Sequence, residues 1–139
     1  MSIVFNYDID GFRVRESRKI KSVIKKIISD TERKEGKIRF IFTSDEKILD
    51  INREFLRHNY FTDIITFDYD EGNTVSGEIY ISIDTVRENS EIYRKRFNDE
   101  IHRVIFHGIL HLCGFKDKSE PEQKKMRYME EKYLVFLSL

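Results

Sequence analysis

His107 and His111 are the residues in this chain best placed to do chemistry. They stand four apart in the run HGILHLCGFKD, in a chain that has only four histidines. On a helix that spacing puts both imidazoles on one face. Gly114 follows, a residue that admits a left-handed turn without a Cβ penalty. The chain can then fold back, and Asp117 is the coordinating side chain within reach. Two neutral imidazoles and a carboxylate form a three-ligand set for Zn²⁺ with one coordination position open. A water in an open position loses much of its pKa, so hydroxide becomes available near neutral pH. The same set also serves Fe²⁺ or Mn²⁺, and zinc is the expected ion. The competing use of the pair is as two half-buried core histidines. Gly114 and Asp117 together favour the metal. The spacing resembles a zinc protease helix, but Gly108 stands where such a helix carries its general-base glutamate.

These residues need a frame. The best-patterned helix is expected over Asp99 to Cys113, with Ile101, Val104, Ile105, Ile109 and Leu112 on its core face. Gly114 ends it. Pro121 opens a last helix carrying Met126, Met129, Tyr133, Leu134 and Leu137 at helical spacing. Upstream, Ile3 to Asp8 alternates as a strand. Arg15 to Glu35 repeats Ile20, Val23, Ile24, Ile27 and Ile28 as a helix, with Gly36 as its stop. Lys37 to Ser44 is a strand rich in β-branched and aromatic residues. Ser44 or Asp45 caps a helix with Ile48, Leu49, Ile51, Asn52 and Phe55 on its inner side. Asp63 to Tyr69 and Gly77 to Asp84 are strands joined by a turn at Asp70 to Asn73, and a helix follows to about Arg96. The order predicts one α+β domain over residues 1–139. It would have a mixed four-stranded sheet, about five helices, and the metal site on a helix and loop of the C-terminal half.

Bulk properties narrow the class. The chain has 139 residues, 25 basic and 25 acidic, so formal net charge is zero and no global field advertises nucleic acid. One cysteine, Cys113, excludes an internal disulfide and fits a reducing compartment. The first residues lack the basic and apolar regions of a secretory signal, and no run approaches the ~20 apolar residues that span a bilayer. A cytoplasmic location is expected, with no membrane partner.

At this point the sequence resembles the YbeY family, bacterial endoribonucleases of rRNA maturation. HGILHLC followed by GFKD is similar to the family signature HGxLHLxGYDH. INREFLRHNYFTDIITF (Ile51 to Phe67) resembles its LNxxYR…PTDVLSF segment. SGEIYIS (Ser76 to Ser82) resembles its LGDIxIS strand, and KKMRYMEEKYL its last helix. The blocks keep family order across most of the chain.

The resemblance implies a metal-dependent, single-strand-specific endoribonuclease. It would act in 16S rRNA 3′-end maturation and ribosome quality control, with rRNA or a ribosomal subunit as partner and no DNA. His107 and His111 take the first two ligand places. The third family ligand is a histidine, and Asp117 occupies its slot, while Lys116 fills the family's aspartate slot. The slot of a family arginine holds Leu56, and Arg57 comes next. A guanidinium there would hold a phosphate bidentately and stabilise charge developing in phosphoryl transfer, which makes Arg57 a catalytic candidate.

Lys116 and Lys118 flank Asp117 and are expected to contact RNA, with Lys124 and Lys125 nearby. Arg13, Arg15, Arg18, Lys19, Lys21, Lys25 and Lys26 form a basic stretch that reads as a solvated face or as a phosphate track. Cys113 reads as a small buried hydrophobe and His102 as a surface or supporting residue. His58 reads as a loop histidine, and Asp63 as an anchor of backbone. Glu78 is either exposed or part of the cleft. Two other functions share this site: a metalloprotease-like hydrolase, against which Gly108 argues, and a non-catalytic ribosome-associated module with structural metal, which would need a fourth ligand.

Overall fold

A computed structural model describes residues 2–56 and 62–139, the side chain of Leu56 excepted. Four strands form one mixed sheet in the order β1 (Ile3–Tyr7), β2 (Lys34–Thr43), β4 (Thr74–Ser82), β3 (Ile64–Asp68). β1, β2 and β4 run parallel, and β3 pairs antiparallel with β4 as one edge. The helices are α1 (Ser17–Asp30), α2 (Asp45–Ile51), α3 (Ile83–Ile92), α4 (Phe97–Leu112) and α5 (Glu120–Ser138). The expected α+β architecture, strand count and helix count are therefore present.

Alternation along the strands divides the sheet into two faces. Ile38, Phe40 and Phe42 of β2 and Ile79 and Ile81 of β4 bury one face against Ile20, Ile24 and Ile27 of α1 and Ile105, Ile109 and Leu112 of α4. On the other face, among the described residues, Ile48 and Ile51 of α2 meet Ile65 of β3 in a smaller cluster. Each buried aliphatic side chain contributes about 1.5–3 kcal/mol, so the first face dominates stability.

Three boundaries differ from expectation. The first helix stops at Asp30, not beside Gly36. Glu32 takes a left-handed φ of 59°, and the N–H of Arg33 donates to Ile28 O at 3.1 Å, closing the helix without glycine. Gly36 lies inside β2, where a Cβ would come within 2.7 Å of the Val75 carbonyl oxygen. The helix before residue 97 likewise ends early, at Ile92, with Arg94 at φ 56°. After Ile51 the chain widens into one π-helical turn, Asn52–Leu56. That turn rotates Phe55 off the inner face. Phe55 is 65% exposed and meets the edge of Phe67, at 6.0 Å between centroids.

Candidate metal centre

α4 crosses the sheet at its β3 edge. Gly108 makes the close approach: a Cβ there would lie 3.0 Å from both Ile64 Cδ1 and Ile79 Cγ2. A glutamate in that position has no room between helix and sheet. The His-Gly pair therefore reflects packing, and it separates this helix from that of a zinc protease.

His107 and His111 project together from one flank of that contact, about 60–100° round the helix from Gly108. Their rings sit 4.5 Å apart and nearly perpendicular. Past Leu112, Gly114 takes φ 102°. The N–H of Phe115 donates to Leu110 O and that of Gly114 to His111 O, both at 3.0 Å, the pattern of a Schellman stop. This turn carries the Phe115 carbonyl back over the helix, where it accepts from His111 Nδ1 at 3.0 Å. At the other end of the loop, Ser119 and Glu122 form a reciprocal capping box that starts α5. Both ends of the loop are thus pinned, and Asp117 lies between them.

The hydrogen bonds set the chemistry of the ring nitrogens. A carbonyl oxygen only accepts, so His111 Nδ1 carries the proton. His107 Nδ1 donates to Glu130 Oε2 at 2.5 Å. In each neutral imidazole the Nε2 lone pair is then free. Both Nε2 atoms face one oxygen: Asp117 Oδ2 lies 3.3 Å from that of His107 and 3.2 Å from that of His111. Three acceptor atoms converge within 4.8 Å of one another. A positive charge held among them, a proton or a cation, would offset their mutual repulsion. The group is half-buried and suited to a divalent metal.

Behind it lies a network that the sequence reading did not include. Glu130 of α5 is buried, and its other oxygen accepts from Arg103 at 3.1 Å. Arg103 forks onto Glu100 through two bonds of 2.9 and 2.7 Å. These carboxylates raise the Arg103 pKa above its ordinary value. Asp63 stands nearby at the start of β3. Burial pushes its pKa up, while the charge of Arg103 pulls it down. Its backbone carbonyl accepts from Ser82 N–H at 2.9 Å. Glu130 had left a signal: it interrupts the buried stripe of Met126, Tyr133 and Leu137 with a carboxylate.

The remaining candidates separate clearly. Lys116 and Lys118 are exposed on either side of Asp117. Arg57 and His58 lie outside the described residues. Cys113 is half-buried and stands outside the three-donor group, with its thiol pushed up by burial. His102 is partly buried, which lowers its pKa. Glu78 points away from α4, pairing with Arg39 at 2.8 Å and accepting from the Tyr69 hydroxyl at 3.1 Å. In the basic stretch, Arg13 lies over the ring of Tyr7, Lys21 over Phe5 and Lys26 over Phe136, while Arg15, Arg18, Lys19 and Lys25 are exposed. Among the described residues no helix is long and apolar enough to cross a membrane.

Comparison with known proteins agrees with this arrangement. The family model described as Endoribonuclease YbeY matches residues 7–138. A protein of that name from Phocaeicola vulgatus is 44% identical over 138 residues, covering 98% of this chain and 100% of that protein. One from Parabacteroides distasonis is 52% identical, covering 82% of this chain and 80% of its own length. The solution structure of TM1509 from Thermotoga maritima superposes with a TM-score of 0.64 at 25% identity, covering 97% of this chain and 88% of that one. With a family match across nearly its whole length and the expected histidine pair on α4, the chain belongs to the YbeY family.

Proposed function

We propose that this protein is a metal-dependent endoribonuclease that cleaves single-stranded RNA, with His107, His111 and Asp117 holding one Zn²⁺. The observation that carries the reading is the convergence of two histidine Nε2 atoms on one carboxylate oxygen. Ligands 2.0–2.1 Å from a tetrahedral centre lie about 3.3 Å apart. Octahedral neighbours at similar bond lengths lie about 2.9 Å apart. The two separations here, 3.3 and 3.2 Å, place the three donors within reach of one such ion. A bound cation supplies Lewis acidity toward a phosphoryl oxygen and toward water.

The chain's own residues do the rest. Gly114 and the Phe115 carbonyl aim His111. Glu130 aims His107. Lys116 and Lys118, beside Asp117, hold RNA phosphates as point charges, independent of base identity. Arg57 is assigned to the scissile phosphate, where its planar fork would stabilise charge developing in the transition state. The single domain of residues 1–139 carries this chemistry in the cytoplasm, on rRNA within or near a ribosomal subunit, in 16S 3′-end maturation and quality control. A peptidase reading fails on Gly108. A purely structural metal would require a fourth protein donor, and among the described residues the group has three.

The test is cleavage of a labelled single-stranded RNA by purified protein with and without Zn²⁺. His111→Ala is expected to abolish cleavage and bound metal while leaving the circular dichroism spectrum intact. Cleavage at the wild-type rate by that variant rejects the proposal.

A further inference from the structure

The two imidazoles at the candidate site are held differently. His111 Nδ1 donates to a neutral backbone carbonyl, that of Phe115. His107 Nδ1 donates to a carboxylate, that of Glu130. Glu130 comes from another helix, 23 residues further on, and is buried at 4% exposure. Its second oxygen is held by Arg103, and Arg103 is held in turn by Glu100, also 4% exposed. Glu100, Arg103 and His107 fall at successive spacings of three and four along α4, so all face α5. A carboxylate, a guanidinium, a second carboxylate and an imidazole then stand in line, ending at the place where a cation would sit.

A buried ion-pair network is weak evidence of stabilisation, since desolvating its charges offsets much of their attraction. An apolar residue between Met126 and Tyr133 would pack the α4–α5 seam equally well. What the carboxylate adds is specific to the imidazole. It fixes the ring plane, it keeps the proton on Nδ1, and its charge makes Nε2 a stronger donor to a cation. Arg103 prevents the carboxylate from turning away.

We propose that Glu130, braced by Arg103 and Glu100, is a positioning residue that sets the divalent-cation affinity of His107. This rests on reading His107, His111 and Asp117 as the metal site. Glu130 does not touch the cation or the RNA; it acts through the histidine. The two ligand histidines are thereby made unequal, with His107 the more strongly donating.

The experiment reads metal binding without RNA. Metal-free wild type and Glu130→Gln are titrated with Zn²⁺ in competition with a chromophoric chelator, and each is loaded with Co²⁺ for its visible spectrum. Glutamine keeps the size of the side chain and an oxygen that accepts from His107, but it removes the charge. The affinity of E130Q is expected to fall about 10- to 100-fold, and its Co²⁺ bands to move. Arg103→Gln is the second variant. It leaves the carboxylate in place but loosened, and a smaller loss is expected. Melting of the metal-free proteins separates this from a simple helix clamp, which would lower the melting temperature and leave affinity unchanged. If wild type binds Zn²⁺ and both variants bind it equally well with the same Co²⁺ spectrum, the positioning role is overturned alone. If wild type binds neither ion, the site assignment falls, and this inference with it.

Discussion

Replacing Gly114 with alanine tests how a turn governs a ligand. Its φ of 102° lies well beyond the left-handed minimum near 57° that other residues tolerate. No heavy atom lies within 4 Å of a Cβ built there, so the cost is conformational and not a clash. Placing an L side chain in the left-handed region costs about 1–2 kcal/mol. The upper half of that range applies this far from the minimum. Alanine also restricts the unfolded chain, which offsets about 0.4–1 kcal/mol. The net expected loss is about 1 kcal/mol, which for a chain of this size lowers Tm by ~4 °C. The ligand is affected as well. Relaxing the turn moves the Phe115 carbonyl away from His111 Nδ1, whose bond is 3.0 Å. Losing such a support typically costs about tenfold or more in metal affinity. Urea denaturation of the metal-free protein measures the first effect, and Zn²⁺ competition the second. Unchanged stability would show that the turn is not strained. Lost stability with full affinity would show that the carbonyl does not hold the ring.

Other expectations follow from the same geometry. Gly108→Glu restores the zinc-protease pattern in sequence but drives a carboxylate into the Ile64–Ile79 contact. It is expected to cost more than ~3 kcal/mol by overpacking and charge burial, and to yield no peptidase activity with Zn²⁺ in a casein assay. Glu32→Gly places the preferred residue at a left-handed helix stop with φ 59° and is expected to raise stability by about 0.5–1 kcal/mol in urea denaturation. His102 carries a pKa below the ordinary 6.5, because burial disfavours its charged form against the opposing pull of Asp99 and Glu16. The unfolded chain therefore takes up this proton first as pH falls. Its contribution opposes folding increasingly below pH 6.5 and levels off beneath the folded pKa. His102→Gln should flatten that part of the stability–pH curve, read as Tm between pH 7 and pH 5.

The site was legible where its cause is local. The histidine spacing, the glycine stop and Asp117 sit within eleven consecutive residues, and helix geometry alone brings them together. Glu130 was not legible in that way. Its meeting with His107 depends on the rotation of α5 against α4, which only the packed seam of Met126, Tyr133 and Leu137 settles. The same division holds for the fold. The apolar repeats of α1 and α4 were plain, but the end of α1 was not. Glutamate and arginine take the left-handed stop positions at residues 32 and 94, where a sequence reader looks for glycine. Gly36 drew attention as a helix stop, yet it serves the close pairing of β2 with β4. Phe55 was misplaced because one π-helical turn shifts its phase.

The most direct test of the central claim is anomalous diffraction at the zinc absorption edge from crystals of the metal-loaded protein. The account predicts a single strong peak about 2.0–2.2 Å from His107 Nε2, His111 Nε2 and an Asp117 carboxylate oxygen. A fully soaked crystal with no peak between the two histidines, or with Asp117 turned away from it, would contradict the account.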